Sequence, residues 1–128
     1  MSKPRSQLEY FEIVAGHSIF RPSGQMSLDQ AVQLVTSAIT FAREQHIRKI
    51  MVVTTGLTGF KPPDLVTRYF FIHEWARAAA SRVCVAVVAR PEMIDPQKFG
   101  VKVAANAGLI SDVFESEEKA LAWLRGFK

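Results

Sequence analysis

The chain has 128 residues, 48% of them hydrophobic and 22% charged, with a single cysteine, Cys84, and a formal net charge of +4. A chain of this length builds one core, so residues 1–128 read as a single domain with no internal disulfide and no cysteine-rich zinc site. No apolar run approaches the roughly 20 residues of a membrane helix. The polar start MSKPRSQLEY is unlike a secretory signal, so a cytoplasmic protein with no integral membrane segment is expected.

Residues 1–7 are polar, carry Pro4 and are expected to fray. Leu8 to Val14 (LEYFEIV) is short, aromatic and β-branched and predicts a strand. After a turn at Ala15-Gly16, His17 to Arg21 predicts a second strand, ended by Pro22-Ser23-Gly24. So short a connection makes the pair an antiparallel hairpin. Ser27 followed by Gln30 is a capping box, and Leu28, Ala31, Val32, Val35, Ala38, Ile39 and Ala42 recur at helical spacing behind it. Ile50 to Thr54 is a continuous apolar run, the pattern of a parallel strand covered on both faces.

Thr55 to Gly59 then reads as a loop, and Pro62-Pro63-Asp64 opens a second helix that runs to about Ala80. Val83 to Ala89 is another buried run. Asp95-Pro96 reads as the cap and first turn of a short helix that stops at Gly108. Ile110 to Phe114 predicts the last strand, and Ser116 caps a final helix that ends at Gly126. Strands alternating with helices imply an α/β fold. Its sheet is mixed but mostly parallel, of about five strands begun by an antiparallel hairpin, with about four helices.

The basic residues do not gather. Arg43, Arg48 and Lys49 end one segment, Arg68 and Arg77 lie on a second, Lys98 and Lys102 on a third, and several have acidic neighbours. A solvated surface explains them, and no nucleic-acid partner is expected. His17, His46 and His73 fall on different elements without ligand spacing, so neither a metal nor another cofactor is expected. Cys84 lies inside a buried strand, where a thiol is inert. Asp64 and Asp95 are explained as helix caps, and no nucleophile elbow, phosphate loop or dinucleotide fingerprint occurs. The protein is therefore read as non-enzymatic. An enzyme would need His73, Asp64 or Asp95 to converge in a pocket with a shared partner.

Two features remain. The loop Thr54-Thr55-Gly56-Leu57-Thr58-Gly59 follows a buried strand and precedes a helix, the position at which open α/β sheets bind ligands. Thr55, Gly56, Thr58, Gly59 and Lys61 are the candidate ligand-binding residues, for a small apolar or anionic molecule such as a lipid or a nucleotide. The competing reading is a glycine-containing turn needed by the backbone alone. The second helix carries two apolar stripes. Leu65, Tyr69, Ile72, Ala76, Ala79 and Ala80 form the expected inward face, and Phe71, Trp75 and Ala78 a second one opposite. Arg68, Phe71, Trp75 and Ala78 are the candidate interface, covered by a second copy or another protein, or by a neighbouring helix or loop such as this chain's own C-terminal segment. A lipid surface is less favoured, because the basic flank is small.

The stretch from Phe20 to Gly59 (FRPSGQMSLDQAVQLVTSAITFAREQHIRKIMVVTTGLTG) resembles the core of a STAS domain, the fold of anti-sigma factor antagonists. The ending DVFESEEKALAWLRG, from Asp112 to Gly126, is similar to that of the SpoIIAA-like proteins. The resemblance implies regulation by protein contact or small-ligand sensing; the Phe71 and Trp75 stripe adds self-association, with a homodimer as the expected assembly. In the phosphorylated STAS switches an Asp-Ser-Ser-Gly-like segment at the start of the second helix carries the acceptor serine. This sequence departs there: the matching stretch is Phe60-Lys61-Pro62-Pro63-Asp64, without serine.

Overall fold

The computed structural model describes residues 9–127. Leu8 and the fraying expected at residues 1–7 lie outside them. Strands β1 (Phe11–Val14) and β2 (His17–Phe20) pair antiparallel, with Phe11 opposite Phe20 and Val14 opposite His17. Gly16, at φ +87°, supplies the left-handed backbone that their turn requires. A two-residue strand that the sequence did not announce, β3 (Gly24–Gln25), follows in the expected turn region.

Helix α1 (Leu28–Glu44) begins as its capping box predicts. Ser27 Oγ accepts from the Gln30 amide at 3.1 Å, and Gln30 Oε1 accepts from the Ser27 amide at 2.9 Å. Its buried residues are Ala31, Val32, Val35, Ala38, Ile39 and Ala42, the arc expected from the spacing. Strand β4 (Lys49–Val53) comes next, then β5 (Leu57–Thr58), another short strand inside the expected loop.

Helix α2 (Leu65–Ala79) starts later than the prolines predict. Asp64 caps it, accepting the Thr67 amide at 2.8 Å, so Pro62 and Pro63 precede the cap instead of filling the first turn. The cap residue must keep an extended backbone, and Asp64 does, at φ −75° and ψ 176°. The helix ends on Ala80 in the left-handed conformation. Strand β6 (Cys84–Val88) and a 3-10 turn over Pro91–Met93 lead to α3 (Phe99–Asn106). This helix also begins later than expected. Lys98 adopts φ +52° and breaks helical continuity, while Asp95 reaches across the turn to accept the Phe99 amide at 2.7 Å. Strand β7 (Ser111–Phe114) and α4 (Glu117–Arg125), capped by Ser116, complete the fold.

The main sheet has the order β1-β2-β4-β6-β7, with every pairing after the first parallel. From β2 onward the chain always steps toward the same edge. Crossovers of one hand that progress one way put their helices on one face. Thus residues of α1, α2 and α3 pack with Ile50, Val52 and Val85. Met51, Val53, Ala86 and Val88, alternate residues of the same strands, pack with Ala120 and Leu124 of α4 on the other face. Phe114 and Trp123 meet there at 5.7 Å between ring centroids, which explains the aromatic residues of the C-terminal segment.

An exposed ion pair ties the sheet to α4. Arg21 Nε and Nη2 donate to the two carboxylate oxygens of Glu117 at 3.0 and 2.6 Å. These hydrogen bonds hold the Glu117 carboxyl below the usual range, against the opposing effect of partial burial. Since the folded value is the lower one, the pair stabilises the fold above the unfolded carboxylate pKa of about 4.3. That stabilisation fades as pH falls through the lowered folded value. Both side chains are more than a third exposed, so the contribution is about 1 kcal/mol or less. Glu117→Gln is expected to flatten the acid limb of a plot of urea midpoint against pH; an unchanged limb would show that the pair adds nothing.

Candidate functional site

The Thr-Gly loop is built by backbone contact. Strand β5 pairs parallel with β3, Gly24 opposite Leu57 and Gln25 opposite Thr58. The Gly24 amide donates to Gly56 O at 3.1 Å and the Met26 amide to Thr58 O at 2.8 Å. A side chain on Gly56 would meet Ser23 Cβ at 3.1 Å, and one on Gly59, at φ +106°, would meet Met26 O at 2.5 Å. Both glycines therefore serve the close approach of two chain segments. Leu57, between them, is buried, and Thr55, Thr58 and Lys61 are exposed.

The structure corrects the two faces assigned to α2. Trp75 and Ala78, expected on an outer stripe, are each only 8% exposed, and Phe71 is half-buried. The Trp75 indole N–H donates to Val32 O of α1 at 3.3 Å, and the Phe71 ring lies 4.7 Å from it. Leu65 and Tyr69, expected inside, are 51% and 46% exposed. The packed arc lies between the two stripes, taking Ile72 and Ala79 from one and Phe71, Trp75 and Ala78 from the other. Because apolar side chains occur on more than one side of α2, its neighbours choose the buried side. Gln33 and Glu74 join the same α1–α2 seam, at 2.7 Å between Gln33 Nε2 and Glu74 Oε2. The exposed apolar surface of α2 is instead Leu65, Val66, Tyr69 and Phe70, with Val66 and Phe70 each 66% exposed.

Between these elements, over β6 and the first residues of β7 and beside the loops that follow β4 and β6, lies an apolar cavity of about 150 Å³. Val32 and Val35 of α1, Ile72 and Trp75 of α2, and Val85 and Val87 of β6 line it. The loop contributes Leu57 and Phe60, not the threonines, glycines or lysine proposed from the sequence. Arg68, Phe71 and Trp75 of the expected interface also line it. Its polar residues are Arg68, Arg90, Asp95, Lys98 and Asp112, with Thr54 and Ser111.

The groups an enzyme would need are apart or engaged. Asp64 is an exposed cap whose carboxyl the Thr67 backbone hydrogen bond holds below its usual range. Asp95 lines the cavity but accepts the Phe99 amide, and the His73 ring packs, tilted, against Tyr69 with 4.4 Å between centroids. Burial pushes the Cys84 thiol pKa up, and the His17 imidazole pKa down. No cluster of three metal-ligating side chains occurs among the described residues.

Among solved structures, the anti-sigma factor antagonist SpoIIAA, in its unphosphorylated form, is similar to this chain. The match covers 91% of this chain and 97% of that one, with a TM-score of 0.51 and 17% sequence identity. The chain has the STAS fold. No family model and no curated protein sequence matches it. The mixed five-stranded sheet and four helices expected from the sequence are those of this fold.

Within the STAS fold, sequence reasoning missed the cavity's apolar wall and placed Arg68 on an outer face. Arg90, Lys98 and Asp112 carry no local signal of convergence. They come from the loop after β6, the start of α3 and β7, and only the sheet order brings them together. No helix among the described residues is long and apolar enough to cross a membrane.

Proposed function

We propose that the protein is a non-enzymatic STAS-like regulatory domain that acts in the cytoplasm by protein contact, with a second copy of itself as the first partner. The observation that carries this reading is the apolar patch of Leu65, Val66, Tyr69 and Phe70 on the first two turns of α2. Four large apolar side chains gathered on one exposed helix surface mark an interaction face. The likeness to an anti-sigma factor antagonist supports a regulatory role for that face.

Asp64 stands where the resemblance puts the phosphorylated segment, and it is an exposed capping carboxylate beside the patch. The stretch from Phe60 to Asp64 offers no serine to phosphorylate. The patch is instead the contact surface without modification.

The double variant Val66→Asp/Phe70→Asp tests this. Both positions are exposed in the single chain, so the stability of the monomer is expected to change by about 0.5 kcal/mol or less for each. Sedimentation equilibrium should show a dimer for the parent and a monomer for the variant. A parent that stays monomeric at high micromolar concentration, or a variant that stays dimeric, would overturn the self-association.

A further inference from the structure

The apolar cavity and the basic residues on its wall form a unit that the α2 surface does not explain. Its volume of about 150 Å³ matches that of an engineered cavity in another protein that takes up benzene. That is room for one aromatic ring or a short branched chain, and too little for the acyl chains of a membrane lipid. Its hydrocarbon wall would hold such a group without leaving a polar group buried against it.

The charges at the cavity divide unequally between engaged and available. Asp112 Oδ1 accepts Lys98 Nζ at 2.9 Å and the Val113 amide at 2.7 Å. Asp95 Oδ2 accepts the Phe99 amide at 2.7 Å. Both carboxylates, and the lysine, therefore have partners within the fold. The two arginines retain donors. Arg68 Nη2 donates to Met93 O at 3.2 Å, which engages one of the five N–H groups on its guanidinium.

Arg90 Nε is buried and has no hydrogen-bond partner among the described residues. Glu92 Oε2 approaches it to 3.3 Å but not in hydrogen-bonding geometry. A buried donor without an acceptor is unfavourable, and a carboxylate accepts the two-pronged face of a guanidinium well. The starts of α1 and α2 add positive helix ends, since Leu28 and Pro63 also line the cavity.

We propose that this cavity is a binding site for a small amphipathic carboxylate, its aromatic or branched hydrocarbon part between Val32, Val35, Ile72 and Trp75 and its carboxylate on Arg90, with Arg68 beside it. The ligand class follows from the cavity's size, its apolar wall and the unused guanidinium donors.

Phenylacetate, benzyl alcohol and inorganic phosphate are the probes. The readout is the indole N–H signal of Trp75 in a proton–nitrogen NMR spectrum, assigned by its loss in Trp75→Phe. Phenylacetate should shift it saturably. Benzyl alcohol, which fills the wall without a charge, should bind at least about tenfold more weakly, because a hydrogen bond to a charged group adds about that much. Phosphate should leave it unmoved.

Arg90→Gln should erase the preference for phenylacetate while leaving the binding of benzyl alcohol in place. Arg90→Lys, which keeps the charge and loses the two-pronged face, should lose most of that preference and provides the same test if the glutamine variant does not fold. Phenylacetate that fails to saturate, binds no tighter than the alcohol, or keeps its preference in both variants overturns the proposal. Val66→Asp/Phe70→Asp should bind phenylacetate as the parent does, so the contact face and the cavity stand or fall separately.

Discussion

Trp75→Ala lowers the unfolding free energy by about 3–5 kcal/mol, the range for removing a buried large aromatic side chain. That is a large share of the roughly 5–15 kcal/mol by which a domain is stable. Three losses combine. The indole's apolar contacts with the core under α1 and α2 disappear, and the cavity beside it grows. The Phe71 ring, 4.7 Å away, loses its neighbour. Val32 O keeps only the Thr36 hydroxyl, at 2.8 Å, as a side-chain donor.

The comparison is Phe70→Ala on the same helix, at protein concentrations too low for self-association, where a 66% exposed ring is removed for about 0.5 kcal/mol or less. Urea unfolding of the two variants gives the contrast directly. Similar small losses in both would mean that Trp75 does not pack into the core of this chain.

Gly59→Ala is expected to cost about 2–3 kcal/mol. Its φ of +106° is strained for any residue with a side chain, and the added methyl would sit 2.5 Å from Met26 O and 2.9 Å from Met26 N. The clash falls on the residue whose amide donates to Thr58 O, so relief of the clash separates β3 from β5. Gly16→Ala separates strain from collision. It also has a positive φ, of +87°, but meets nothing within 4 Å, so it pays for backbone conformation alone. Gly59→Ala should therefore show the larger drop in urea midpoint. Equal drops would show that the approach of the two segments adds nothing to the strain.

These two variants mark the limit of what could be read along the chain. Helix α1 was legible down to its buried residues because both signals are local. Ser27 and Gln30 cap each other within one turn, and polar side chains on the outer face leave the apolar spacing unambiguous. The strands β4 and β6 were legible for the same reason, as unbroken apolar runs need cover on both faces.

Helix α3 was displaced because Lys98 takes a left-handed backbone that no pattern announces, with Asp95 capping from across the turn. The β3–β5 pair escaped because two residues carry no periodicity, and its partners lie more than thirty positions apart. Gly56 and Gly59 stand out within the loop, but their reason lies in Met26, Pro22 and Ser23, which the loop itself does not contain.

The amino-acid sequence by itself determined the longer elements, the caps of α1 and α4 and the class of sheet, since each depends on residues a few positions apart. It could not orient α2, which carries apolar side chains on more than one side, nor bring Arg68 and Arg90 to one cavity. Those outcomes were decided by tertiary structure: the Val32 carbonyl of α1 offers a partner to one indole, and the one-way order of the strands sets three helices side by side over a single face.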